Sequence, residues 1–206
     1  MRAALTLIGI INLLLAGPAV AEPLSFRGLS ASSKSSEVRK IFPNAQRKNI
    51  CRAGVDFFKT SDGEMLCEEL FVDNYALNGL TFKASFLFNP DGTLRHVSLL
   101  KQFGAYGKNG QGVPATAINS AFISLADLIS SKYGQEVADP PGAFMRLGPV
   151  GGKREWQPGR GTKWQHGGDR IALSADAIEK SAAPGLYVGS VQIFYSFAKK
   201  GEFDRF

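Results

Sequence analysis

Apolar residues recur at every second position in several stretches of this chain, and in two others they recur at helical spacing. In "LTFKASFLF" (80–88) Phe82, Ala84 and Phe86 alternate with Lys83 and Ser85. That period-two pattern predicts a strand with one buried and one wet face. The same reading gives strands over 65–72 and 93–101. Asn89-Pro90-Asp91-Gly92 joins the last two as a turn. Further strands are expected over 144–147, 153–157, 162–166, 169–175 and 186–198. Helical spacing marks two places. Val38, Ile41 and Phe42 form an apolar edge behind Ser32 or Ser33 as cap, with Glu37 in the first turn and Pro43 as the stop. Pro114 opens a longer helix to about Tyr133. There Ile118, Ala121, Phe122, Leu125, Leu128 and Ile129 fall on one stripe, and Gly134 ends the helix.

The order helix, hairpins, spacer, helix, hairpins predicts an α+β fold. It consists of two helix-then-antiparallel-hairpin units that share a sheet, with the helices packed on one face. The expected limits are 22–103 for the first unit, 104–113 for a Gly-rich spacer ("GAYGKNGQG" at its heart) and 114–206 for the second. Each half alone is too small to bury much, which argues for a common core.

Turn arithmetic then assigns faces. With Gly167-Gly168 as a two-residue turn, Trp164 lies opposite Ile171 and Thr162 opposite Leu173, so Trp164, Ile171 and Leu173 face the core. Lys163, Gln165 and Arg170 take the other face. The Asn89–Gly92 turn sets Val97 opposite Ala84 and Leu99 opposite Phe82, and sends His96 outward with Lys83, Ser85 and Ser98. In the last strand Val191, Ile193 and Tyr195 alternate with Gln192, Phe194 and Ser196.

The amino-terminal residues break both periodicities. Arg2 precedes an apolar run over 3–16, then Gly17-Pro18, then Ala19-Val20-Ala21. Charge, short apolar core and A-x-A form a secretory leader, with cleavage expected after Ala21 and 1–21 as the signal peptide. The run is shorter than the roughly 20 residues that span a bilayer, so the chain is not expected to span a membrane. Removing Arg2 lowers the net charge from +6 to +5, a mildly basic balance. Outside the cytoplasm that favours acidic proteins, anionic glycans or lipid headgroups over nucleic acid.

Export also bears on Cys51 and Cys67, the only two cysteines in 206 residues. An even count in a small exported chain points to a disulfide. A metal site would need more ligands than the distant His96 and His166 supply, and the spacing is not that of a C-x-x-C redox pair. A tight turn at Asp62-Gly63 would set Cys67 against Phe58, so a bridge requires a looser excursion whose ends meet.

Taken together, "FRGLSASSKSSEVRKIFPNA", the strands after it and "LADLISSKYG…TKWQHGGDRIALSA…LYVGSVQIFYSF" resemble small exported bacterial proteins with tandem β-lactamase-inhibitor-like (BamE-like) repeats. The resemblance implies short helices on one face of an antiparallel sheet, with the other face left for partners. It brings no catalytic residues.

No G-x-S-x-G, H-E-x-x-H or P-loop occurs, and "GKNGQG" lacks the strand–helix setting of a nucleotide loop. No cofactor or metal is expected. The functional expectation is a non-catalytic periplasmic protein that binds a protein partner in the bacterial envelope. It would act as an inhibitor or immunity-type protein, or as an assembly factor. Lys83, His96, Lys163 and Arg170 are the candidate contacts on the open face. Trp156 joins them from the basic stretch "GGKREWQPGRGTKWQHGGDR". The rival from another class is a small hydrolase of peptidoglycan or another glycan, using His96 or His166 with a nearby carboxylate.

Overall fold

A computed structural model describes residues 25–49, 68–105, 110–134, 143–146, 155–158, 160–166, 168–180 and 183–197. The expected leader at 1–21 and both cysteines, Cys51 and Cys67, lie outside these residues.

The first described residues form a miniature hairpin. Phe26 and Leu29 exchange both backbone hydrogen bonds (3.0 and 2.9 Å) across Arg27-Gly28, whose φ angles are +55° and +80°. Two successive positive φ values are the demand of a type I′ turn, and Gly28 meets it without cost. The turn drives Phe26 into the rings of Phe42, Tyr75, Phe86 and Tyr195, at centroid distances of 5.3–6.4 Å. Helix α1 (Ser35–Ile41) follows. Its cap is Lys34 rather than a serine: the Glu37 carboxylate accepts the Lys34 backbone N–H at 3.1 Å. Ser33 is instead buried and anchored to the sheet, its carbonyl accepting Leu94 N–H at 2.7 Å.

The strands are β1 (Gln46–Asn49), β2 (Glu68–Leu77), β3 (Leu80–Phe88), β4 (Leu94–Phe103), β5 (Val113–Pro114), β6 (Ala143–Arg146), β7 (Glu155–Pro158), β8 (Arg160–His166), β9 (Asp169–Glu179) and β10 (Leu186–Ser196). Helix α2 (Ala115–Tyr133) lies between β5 and β6. Eight strands form one antiparallel sheet in the order β1-β2-β3-β4-β10-β9-β8, with β5 also paired to β10; β6 and β7 form a separate pair. After Phe103 the chain leaves the sheet and returns as β5, where Val113 pairs with Tyr187 just beyond the Gly189–Phe103 pair. Ala105 N–H donates to Gln111 carbonyl at 2.8 Å and closes that excursion.

This architecture corrects the expected pair of helix-then-hairpin units. The fold is dominated by a single sheet, and the helices, of 7 and 19 residues, do not define two equivalent halves. The physical reason lies in the helices themselves. Within α1 only Val38 is buried, while Ile41 is 42% exposed, so two turns of helix cannot cover a hairpin layer. Helix α2 does bury a stripe (Ile118, Ala121, Leu125, Ile129), chiefly against β9 and β10. Elsewhere the strands supply most of the core, with Phe82, Phe86, Leu99 and Val97 each at most 1% exposed.

In the second half the register is as turn chemistry predicts, with Trp164 opposite Ile171 and Thr162 opposite Leu173. In the first half it is displaced by two. Ala84 pairs with Leu99 and Phe86 with Val97. One residue comes from the turn, since Asn89 N–H donates to Thr93 carbonyl (2.8 Å) around Pro90-Asp91-Gly92. The other is Arg95, the extra residue between the Phe88–Leu94 and Leu87–His96 pairs. Two displacements of one residue restore the original face.

Candidate functional site

The face opposite α2 can be read row by row from strand pairing. One row runs Lys48, Glu69, Leu87, His96, Ser196, Arg170, Gln165 from β1 to β8. The next holds Phe71, Ser85, Ser98, Phe194, Ala172 and Lys163, and a third holds Lys83, Leu100, Gln192 and Ser174. Lys83, His96, Lys163 and Arg170 therefore share one side of one sheet. His96 and Arg170 are two lanes apart, about 10 Å, and Lys83 and Lys163 four lanes, about 19 Å, at the usual strand spacing.

Lys83 and Arg170 are exposed, while His96 and Lys163 are half-buried. The Lys83 ammonium stands 4.5 Å from the centre of the Phe71 ring, a cation–π arrangement that fixes the long stem across the sheet. The His96 ring lies against Phe194, with centroids 4.7 Å apart. Gln192 donates to the Ser98 hydroxyl at 2.8 Å, so the polar centre of the face is cross-linked between β10 and β4. Asp176 accepts Ser190 backbone N–H at 3.1 Å and also the Ser190 hydroxyl.

Phe71, Leu87, Leu100 and Phe194 sit half-buried in the interior lanes of this face. Period-two alternation places Phe194 on this face but offers only cations as contacts, and it does not mark Phe71, Leu87 or Leu100. Their signal was present in the sequence, since each occupies a polar-phase position of its strand. Trp156 is placed by backbone only: it pairs with Met145 in the β6–β7 sheet, outside the rows that hold the other four. Cys51 and Cys67 lie outside the described residues. Asn49 and Glu68, the described residues on either side of the segment that holds them, are direct register partners.

A second feature lies on the α2 side, and sequence reasoning did not reach it. A pocket of about 230 Å³ opens between the Phe26–Leu29 hairpin, the last turn of α2 and strands β2 and β10. Its walls come from opposite ends of the chain, which is why no local motif announces it. Among the described residues, no group of three or more His, Cys, Asp or Glu is placed to hold a metal ion. No helix there is long and apolar enough to cross a membrane. Comparison with protein-family models, with curated proteins and with solved structures gives no match to this chain.

Proposed function

We propose that this chain is a non-catalytic exported binding protein. It recognises, through the sheet face opposite α2, an apolar patch bordered by carboxylates on another protein of the bacterial envelope. The observation that carries the reading is the arrangement of that face. Phe71, Leu87, Leu100 and Phe194 occupy interior lanes, with Lys48, Lys83, Lys163 and Arg170 outnumbering Glu69 among the charges beside them in these rows. An apolar centre inside a charged rim is the anatomy of a protein interface. Seven lanes at about 4.8 Å, and rows spanning about 20 Å, give roughly 600 Å² in plan. That is of the order of the ~800 Å² per partner that a stable complex buries.

The two forms this function could take, an inhibitor or immunity protein and an assembly factor, use the same surface and differ in the partner. The test compares three forms of the mature chain as bait in envelope extract: unmodified, Lys163→Glu with Arg170→Glu, and Phe194→Asp. The partner captured by the unmodified chain is expected to fall at least tenfold with either variant. The double charge reversal should keep its thermal midpoint within about 2 °C. Phe194→Asp, at a half-buried position against His96, lowers the midpoint and is compared at a temperature where circular dichroism shows it folded. Equal capture by all three forms refutes the assignment of this face. Turnover of peptidoglycan by the purified chain replaces the reading with a hydrolase.

A further inference from the structure

The pocket on the α2 side has a composition suited to chemistry of its own. Its buried apolar lining is Phe26, Ile129 and Ile193, with half-buried Leu77 and the exposed Leu128 completing the apolar wall. Tyr75, Tyr133 and Tyr195 converge there from β2, α2 and β10. Two cations, Arg27 and Lys132, stand at the rim, and no carboxylate is among the described lining residues.

The hydrogen bonds show which groups are committed. Tyr133 donates its hydroxyl to Ser25 carbonyl at 2.9 Å. Arg27 donates through Nε to the Tyr75 hydroxyl at 3.2 Å, which leaves the Tyr75 proton free to donate onward. The terminal nitrogens of Arg27 make no hydrogen bond among the described residues, and neither does the hydroxyl of Tyr195, a residue only 7% exposed. The ring is buried while the hydroxyl still meets solvent at the pocket, where it is available to a ligand. Burial, reinforced by Tyr133 and Tyr75, holds the Tyr195 phenol protonated well above its ordinary range, so it can act only as a neutral donor.

Two phenol donors and a guanidinium around an apolar lining call for an acceptor-rich anion attached to a hydrophobic group. We infer that the pocket is a ligand site for a carboxylate carried on a short apolar body. Arg27 and the Tyr75 and Tyr195 hydroxyls bind the carboxylate, and Leu77, Leu128 and Ile129 receive the apolar part. The volume limits the ligand to something smaller than a drug-sized molecule. A free acid and the carboxyl end of a peptide offer the same chemistry. This site is independent of the sheet face proposed above, and its test does not depend on any protein partner.

The probes are benzoate, hexanoate and N-acetyl-phenylalanine, each paired with its neutral methyl ester or amide. Binding to the mature chain is followed by calorimetry and by the tyrosine ultraviolet difference spectrum. Saturable binding with Kd between about 10 µM and 1 mM is expected for ligands of this size. The neutral analogues should bind at least tenfold more weakly. Binding of N-acetyl-phenylalanine alone assigns a peptide terminus, and binding of the simple acids assigns a small free acid. Tyr195→Phe keeps the shape and removes the donor. Arg27→Asn removes the charge and tolerates the positive φ. Each should weaken the carboxylate at least fivefold and leave the ester unchanged. No saturation up to about 10 mM, esters that bind as tightly as acids, or indifference to both substitutions overturns the inference.

Discussion

Trp164→Ala is the sharpest test of the register, because the neighbouring Lys163 should answer in the opposite way. Trp164 is 2% exposed, pairs with Ile171 and donates its indole N–H to the Ser130 hydroxyl on α2 at 3.3 Å. Truncation to alanine returns roughly 150 Å² of apolar surface to the ledger, about 4 kcal/mol at ~25 cal/mol per Å². The emptied site adds a cavity penalty, which partial collapse of α2 onto β8 offsets. Ser130 is only half-buried, so water replaces its lost partner at little cost. The net expectation is a loss of about 3–5 kcal/mol, or a midpoint lowered by roughly 6–20 °C. Urea unfolding followed by far-ultraviolet circular dichroism is the suitable assay, since Trp164 is one of only two tryptophans and fluorescence would change for trivial reasons. Lys163→Ala should stay within about 0.5 kcal/mol. A Trp164→Ala loss under about 1 kcal/mol, with Lys163→Ala the more damaging, would refute the assignment of faces and the binding surface with it.

Intact-mass measurement of the exported protein should give a chain that starts at Glu22 and is two hydrogens lighter than its reduced form. Replacing Cys51 and Cys67 by serine should then cost about 3 kcal/mol for a loop of about 16 residues, and free thiols on the unreduced protein would contradict the bridge. Tyr195 predicts an alkaline weakness. The folded state holds the phenol's proton above the unfolded value near 10, so its effect on stability is flat below about pH 10 and stability falls as the pH rises beyond it. Urea midpoints at about pH 9 and pH 11 should show a smaller fall in Tyr195→Phe than in the unmodified chain. Gly189→Ala should cost about 1–3 kcal/mol or more in the same unfolding assay, because a Cβ there would meet Asp176 carbonyl at 2.2 Å and Ile118 Cδ1 at 3.0 Å.

The residues that the sequence placed well are those whose partners are set by a short turn. Gly167-Gly168 leaves no freedom, so Trp164 could be matched to Ile171 by counting. Asn89-Pro90-Asp91-Gly92 invited the same counting but adds a residue, and Arg95 adds another that no local pattern marks. The face survived only because the two errors sum to an even number. Strand β1, "QRKN", has no apolar alternation and exists through pairing with β2, while β5 is two residues held against β10. Period two also hid the half-buried Phe71, Leu87 and Leu100, and gave Phe194 no role, since a rule that sorts inside from outside treats the outside as polar. The tyrosine pocket depends on contacts such as Arg27 with Tyr75, a tertiary meeting that one-dimensional spacing does not encode. Helix α2 was the most legible element, bounded by Pro114 and Gly134 with a continuous stripe between them.

Strand β10 is the last strand of the sheet in sequence, yet in space it stands between β4 and β9, two of its central neighbours. During synthesis, β1–β4 and β8–β9 would emerge first as separate ribbons, each with an unsatisfied edge where β10 belongs. Ser98 waits for Gln192, a partner 94 positions later. Non-local closure of this kind is slow, and open edges of this kind invite pairing with other chains. Until β10 pairs, the facing edges of β4 and β9 stay open. A nonsense codon at or just after Leu186 would remove the keystone rather than a tail. Its product should aggregate instead of persisting as a shortened fold.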